Sequence, residues 1–333
     1  MTTSPTRRLR ALAGVAVLAL GLSACGGGNL GSDDSGENFP DGAINLTVGQ
    51  DPGGSTDLIA RALANPVSDD LGVEVPVLNR PGANGALAAK ELASKSANGQ
   101  ELMVMNLSLV AITSLTVPED DAINLEDYTV ITGISEDDYV LVSNADSGLN
   151  TIDDLKGAGA LNYATTGTGT GSQLSSALLF QLAEIDGTAV PFDGGSPALT
   201  AVLGNQVDVA SIQLGEAMPQ IEAGTITPIV TFAADRNEFL DDVPTAVEEG
   251  YDVEVAQARA IVGPKDMSQD VVDQLREAFT KAFETDAYTS FNEQNLLRPQ
   301  ELDGDELTEV WNQSVETYRQ LTEEYGIDLG STE

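Results

Sequence analysis

The 333-residue chain contains no histidine, a single cysteine, 5% aromatic residues and only 15 basic residues against 53 acidic ones. The absence of histidine removes the usual general base at neutral pH, the Ser-His-Asp triad and the commonest zinc ligand. One thiol excludes an internal disulfide. A net charge of −38 argues against a nucleic-acid partner, whose phosphates such a field repels. Hydrolysis would then rest on carboxylates alone, and glycosidases need two of them roughly 5–10 Å apart in an aromatic-rich cleft. No aromatic cluster accompanies the glycine-rich loops described below, so a carboxylate-dependent extracellular hydrolase is the weakest reading and no enzyme activity is expected. No apolar run reaches the ~20 residues that cross a bilayer.

What is present begins with an export signal. Arg7, Arg8 and Arg10 precede an apolar stretch from Ala11 to Leu22, the pattern of a secretory leader. The leader ends at Leu22-Ser23-Ala24-Cys25, which resembles the lipobox of bacterial lipoproteins. That resemblance implies removal of residues 1–24 and acylation of Cys25, anchoring the protein to the outer face of the cell membrane. An ordinary cleaved signal and a buried thiol are the alternatives. Residues 25–40, rich in Gly, Ser and Asp, read as a flexible tether on the order of 20 Å in reach. Without the three leader arginines the remaining chain is more negative still. Such a surface self-repels at low ionic strength and suits high salt, where the Debye length falls to ~3 Å at 1 M. The runs Glu119-Asp120-Asp121 and Glu136-Asp137-Asp138 offer a divalent-cation site as an alternative, but no Asp-x-Asp-x-Asp-Gly calcium loop occurs, and neither metal nor cofactor is expected.

Beyond the tether nearly three hundred residues remain, more than a typical single core of ~100–150 residues. Short β-like runs (Ile44–Val48, Val73–Val77, Leu102–Met105, Tyr139–Val142, Ala160–Tyr163, Val207–Ala210, Ile226–Phe232) alternate with helical patterns. This predicts an α/β protein with largely parallel sheets. From Ser268 onward Val271, Val272, Leu275, Phe279 and Phe283 share one helical stripe; from about Asp305 to Tyr325 so do Leu307, Trp311, Val315, Tyr318 and Leu321. The single tryptophan therefore belongs to packing.

Three strands run into glycine-rich turns that open helices: Val48 to Asp57, Tyr163 to Ser172, and Val190 to Pro197. In the third, Ser196 fits an N-cap, Pro197 the first helical position and Gly204 the stop. Each turn leaves backbone N–H groups unpartnered at the positive end of a helix dipole, which makes an anion site without basic side chains. The second turn lacks a dinucleotide fingerprint, because position 172 is serine where the third glycine belongs.

Pro52-Gly53-Gly54-x-x-Asp57-x-x-Ala60-Arg61, Asn79-Arg80-Pro81-Gly82-Ala83-Asn84-Gly85, Pro191 to Leu199, Gly204 to Asp208 and Val243-Pro244-Thr245-Ala246-x-Glu248-x-Gly250 occur in order. Together they resemble the receptors of tripartite tricarboxylate transporters, the Bug or TctC family. The resemblance implies a two-domain type II periplasmic-binding-protein fold with its ligand cleft between the domains, here 41–141 with 252–333 as domain I and 142–251 as domain II. It implies a monomeric extracytoplasmic solute-binding lipoprotein that captures a small organic anion, a di- or tricarboxylate, for small and large permease subunits. A ligand-binding sensor that signals to a membrane partner is the alternative. Carried over by position, Gly53, Gly54 and Ser55 on domain I, with Asn106 and Ser108, and Thr166, Gly167, Gly171, Ser172, Asp193, Gly194 and Gly195 on domain II, would line the cleft, with Asp51 as a further ligand-binding candidate. Asp57 with Arg61, and Arg80, would brace their loops. Asp193 departs from the family pattern, in which a lysine or another residue often precedes the Gly-Gly pair; an acid there, with Asp51, either repels a carboxylate or receives a ligand ammonium or hydroxyl.

Overall fold

The computed structural model describes residues 39–330; the leader, Cys25 and most of the tether lie outside the described residues. The first part of the chain forms β1 (Asn45–Val48), α1 (Ser55–Leu71), β2 (Val77–Asn79), α2 (Ala86–Ala93), β3 (Glu101–Asn106), α3 (Leu107–Ala111) and β4 (Tyr128–Asn144). The middle continues with α4 (Ile152–Gly157), β5 (Leu161–Thr165), α5 (Gly171–Leu182), β6 (Gly187–Pro191), α6 (Gly195–Leu203), β7 (Val209–Gln213), α7 (Leu214–Glu222) and β8 (Ile226–Thr231). The remainder comprises β9 (Ala256–Pro264), α8 (Gln269–Phe283), α9 (Asp286–Asn295), β10 (Arg298–Pro299) and α10 (Gly304–Glu324).

The sheet order is β2-β1-β3-β9-β4-β7-β5-β6, with β8 and β10 also on β4. Parallel pairing, as alternating β and α runs predict, holds at the two ends: β1 beside β2 and β3, β5 beside β6 and β7. The middle is antiparallel instead, with β9 paired to β3 and β4, and β4 paired to β7 and β8. The centre of this mixed sheet is β4, whose 17 residues far exceed the ~5–6 of a usual strand. Tyr128 to Asp138 pair with β9, and Tyr139 to Asn144 pair with β7 and β8, so one strand serves two half-sheets.

Burial follows the two-residue period of strands. Along β3, Leu102 and Val104 face a core with α1 and α8, while Met103 and Met105 face a second core. That second core runs across both half-sheets and includes Tyr139, Leu141, Tyr163, Leu178 and Trp311. Val140 and Val142 point the other way, into a third core with α6 and α7. Both faces being covered explains why these strands read as near-continuous apolar runs.

The run Glu136-Asp137-Asp138 lies inside β4 and serves ion pairs. Arg298 binds Glu136 at 2.8 Å and Asp138 at 2.6 Å, and Arg259 pairs with Asp137. Asp121 of the other acidic run binds Lys90 at 2.9 Å. Among the described residues no group of three acids, histidines or cysteines is placed to hold a metal, and no helix is long and apolar enough to cross a membrane.

Candidate functional site

The carboxyl ends of β1, β3, β5, β6 and β7 converge on one cleft of about 700 Å³, where open α/β sheets place ligands. The first wall is the turn between β1 and α1. Gly54 caps α1 with no side-chain hydrogen bond to the helix amides, so the first turn keeps its N–H groups free for a ligand. Asp57 holds this turn from behind: its carboxylate accepts from Gly53 N at 2.8 Å, Arg61 Nε at 3.0 Å and Asn79 Nδ2 at 2.8 Å. Burial pushes the Asp57 carboxyl up, yet these hydrogen bonds outweigh it and hold the group below its ordinary value of 3.8. Arg80 pairs with Glu91 at 2.8 Å on the surface, a contact worth little in water.

Beneath the same turn lies a feature with no counterpart in the glycine motifs. Arg259 of β9 is fully buried. Its Nη2 donates to Ser55 Oγ at 2.7 Å, its Nε to Thr56 Oγ1 at 3.2 Å, and its Nη1 to Ser135 Oγ at 3.1 Å and to Asp137. Burial raises the Asp137 carboxyl, with Arg259 pulling against it. One guanidinium therefore ties the N-terminus of α1 to β4 and β9.

The second wall comes from the other half-sheet. Thr170 caps α5 by accepting from Gln173 N and also donates to Gly167 O at 2.8 Å. Gly194 caps α6 with φ 106° and ψ 179°, a backbone region open essentially to glycine alone. The helix thus starts at Gly195 and places Pro197 in its third position, two residues earlier than a Ser196 cap would give. Gly194 N donates to Thr166 O at 3.2 Å, joining this turn to the one after β5. The two walls touch at Asn84 Nδ2, which donates to Ser108 Oγ at 3.1 Å, Thr113 Oγ1 at 2.9 Å and Gly169 O at 3.5 Å.

Asp51, Gly53, Gly54, Ser55, Asn106, Ser108, Thr166, Gly167, Asp193, Gly194 and Gly195 all line this cleft. Gly171 and Ser172 do not. Gly171 packs on the Tyr139 ring, where a Cβ would approach to 2.6 Å, and buried Ser172 accepts from Thr166 N at 3.0 Å while donating to Ser211 O at 2.6 Å. These two residues shape the turn from below. Tyr139, Gln213, Glu216 and Gln257 also line the cleft, although none sits in a glycine-rich turn. The one sequence signal for this part was Arg259, a lone base inside the apolar stretch Ala256–Pro264. The charged side chains of the lining are Asp51, Asp193 and Glu216, with no lysine or arginine among them.

A sequence profile described as the tripartite tricarboxylate transporter family receptor matches residues 59–327. A protein of the TAR-I ttuE-ttuC' intergenic region of Agrobacterium vitis is 30% identical over 252 residues, covering 74% of this chain and 72% of that protein. A solved periplasmic transporter superposes with a TM-score of 0.81 at 25% identity, over 87% of this chain and 99% of its own. MatC from Rhodopseudomonas palustris, solved with bound malate, superposes with a TM-score of 0.77 at 25% identity, over 85% and 99%.

Proposed function

The chain belongs to the tripartite tricarboxylate transporter receptor family, and from that premise we propose that it captures a small organic anion, a di- or tricarboxylate, and delivers it to membrane permease subunits. It is a solute-binding protein with the α/β periplasmic-binding-protein fold, not an enzyme. The observation that carries the ligand class is the convergence of uncapped or glycine-capped helix starts, α1 from one half-sheet and α6 from the other, on a single cleft without basic side chains. Main-chain donors of this kind hold an anion locally despite a repulsive long-range field. The malate bound to MatC fits the same chemistry.

The expected domains, I from 41–141 with 252–333 and II from 142–251, hinge where β4 passes between half-sheets, at Asp138 and Tyr139 and so three residues before the expected boundary, and where the chain returns into β9. A solute touching both walls favours the closed state through its differential affinity. Cys25 carries the lipid that keeps the protein at the membrane; Cys25→Ala releases it from the membrane fraction of its host, and unchanged partitioning refutes the anchor. Co-purification with permease subunits, as opposed to a histidine kinase, separates transport from signalling.

Capture is read by thermal unfolding of the purified protein with mono-, di- and tricarboxylates at low and high NaCl. A solute at 100 times its Kd adds about 2.7 kcal/mol. No shift with any acid at either salt rules out carboxylate capture.

A further inference from the structure

Of the three acids that line the cleft, one has a buried carboxylate oxygen that nothing in the fold uses. Glu216 is the third residue of α7, and its Oε2 is buried with no hydrogen-bond partner. The carboxyl presses on the start of α6: a Cβ built on Gly195 would fall 1.5 Å from Oε2, so only glycine admits the acid at that spot. Beside it on the cleft floor Gln257 is 6% exposed, and its Oε1 also lacks a partner. The charged and titratable neighbours are Arg259 on β9 and Asp137 and Tyr139 on β4; α6 approaches with Gly195, and α9 approaches the adjoining Gly215 with Asn295. Arg259 is committed to Asp137, Ser135, Ser55 and Thr56. With Gln50 Oε1, three buried acceptors on cleft-lining residues lack a partner, Glu216 alone among them carrying charge, and no side-chain cation of the lining answers them.

We infer that Glu216 is a specificity-determining residue that accepts a hydrogen bond from an ammonium or hydroxyl group on the solute. The cleft then selects an amino- or hydroxy-substituted carboxylate over the unsubstituted acid. This inference rests on the carboxylate-receptor reading and narrows it. A buried acceptor left without a donor costs free energy that a ligand donor recovers, and a site built to hydrogen-bond such a group rejects the analogue lacking it. A second solute carboxylate placed against Glu216 would instead meet like charge in a medium of low dielectric. The solute carboxylates therefore turn to the helix starts and its donor turns to Glu216. Burial raises the Glu216 carboxyl above its ordinary 4.5, with Arg259 lowering it and Asp137 adding to the rise. This rise brings protonation, which removes the negative acceptor, to higher pH than for a free carboxyl.

Succinate, malate and aspartate differ only in carrying hydrogen, hydroxyl or ammonium on one carbon, so titration calorimetry of the intact protein with all three reads the donor directly. Malate or aspartate is expected to bind about tenfold or more tightly than succinate, the factor one good hydrogen bond supplies. In Glu216→Gln the amide oxygen still accepts, so a hydroxyl preference persists while an ammonium preference collapses; Glu216→Leu abolishes both. Acidification weakens aspartate binding more in the parent protein than in Glu216→Leu, since the ionisation of the solute itself is common to both. The Glu216→Gln protein melts no lower than the parent without solute, because a neutral group replaces a desolvated acid. Equal affinity for the three, unchanged in both variants, overturns the role of Glu216 and leaves the receptor reading intact. No binding by any of the three, by their one-carbon-longer homologues or by any mono-, di- or tricarboxylate of the thermal panel overturns both.

Discussion

Replacing Arg259 by methionine is expected to destabilise the protein by about 3–5 kcal/mol, the cost of leaving a buried ion-pair partner uncompensated. Asp137 lies on β4 beside β9 at 3% exposure and would be left buried with no cation. Removing Asp137 as well, in an Arg259→Met/Asp137→Leu double variant, should restore much of the loss, since a well-packed apolar pair often equals a buried salt bridge. Arg259→Lys recovers less than its charge suggests, because one ammonium cannot span Ser55, Thr56, Ser135 and Asp137 together. The single variant also gains a pH signature. With Arg259 gone, burial raises the Asp137 carboxyl further above its ordinary 3.8. Its folded form then binds a proton that its unfolded form has released, so stability falls as pH rises between the two values. Denaturant unfolding at pH 5 and pH 8 reads this: the deficit is larger at pH 8, and equal deficits contradict the assignment.

Trp311→Ala is expected to cost about 3–5 kcal/mol, as large-to-small changes of buried aromatics do. At roughly 2–4 °C per kcal/mol for a protein of this size, the melting temperature falls on the order of 10 °C. Trp311 is fully buried on α10 in the core that crosses both half-sheets, beside Leu307 and Tyr318 on the same helix. Its indole Nε1 has no partner, so Trp311→Phe removes an orphaned donor along with some packing and costs much less than the alanine change. Trp311 does not line the cleft, and solute affinity per folded molecule stays unchanged in both variants. A loss of affinity in Trp311→Phe at full folding would place the indole in recognition after all.

The walls of the cleft were legible because they are made of main chain, and main chain announces itself through glycine and proline. Gly53-Gly54 and Gly194-Gly195 mark sharp entries into α1 and α6, and Asp57 with Arg61 sits one helical turn apart as the spacing requires. Gly171 and Ser172 belonged to the same punctuation, but helix α5 has already begun at Gly171, so its first turn packs on Tyr139 and Ser211. The cleft floor was not legible. Tyr128 to Asp138 of β4 carries three consecutive acids, a run that the sequence offered only as an alternative cation site. Asp137 and Asp138 are buried and Glu136 half-buried in a strand only because Arg259, Arg298 and Asn237 reach them from distant segments. β9 went unread for the related reason that a charged guanidinium interrupts its apolar alternation. Glu216 follows β7 with a single glycine, Gly215, already inside α7, and only the tertiary approach of Gly195 makes it a wall of the site. Antiparallel pairing in the middle of the sheet stayed hidden because β4 and β9 meet across more than a hundred residues of sequence, a separation that local periodicity does not record.

The central claim is that one small carboxylate solute is held by the helix-opening turns of both half-sheets at once. Amide hydrogen exchange of the protein with and without the most stabilising acid tests it most directly. The account predicts that residues 49–56 and residues 192–196 gain protection together, with 166–170 following. Protection confined to one of the two walls, or found elsewhere while both turns exchange as in the free protein, would contradict it.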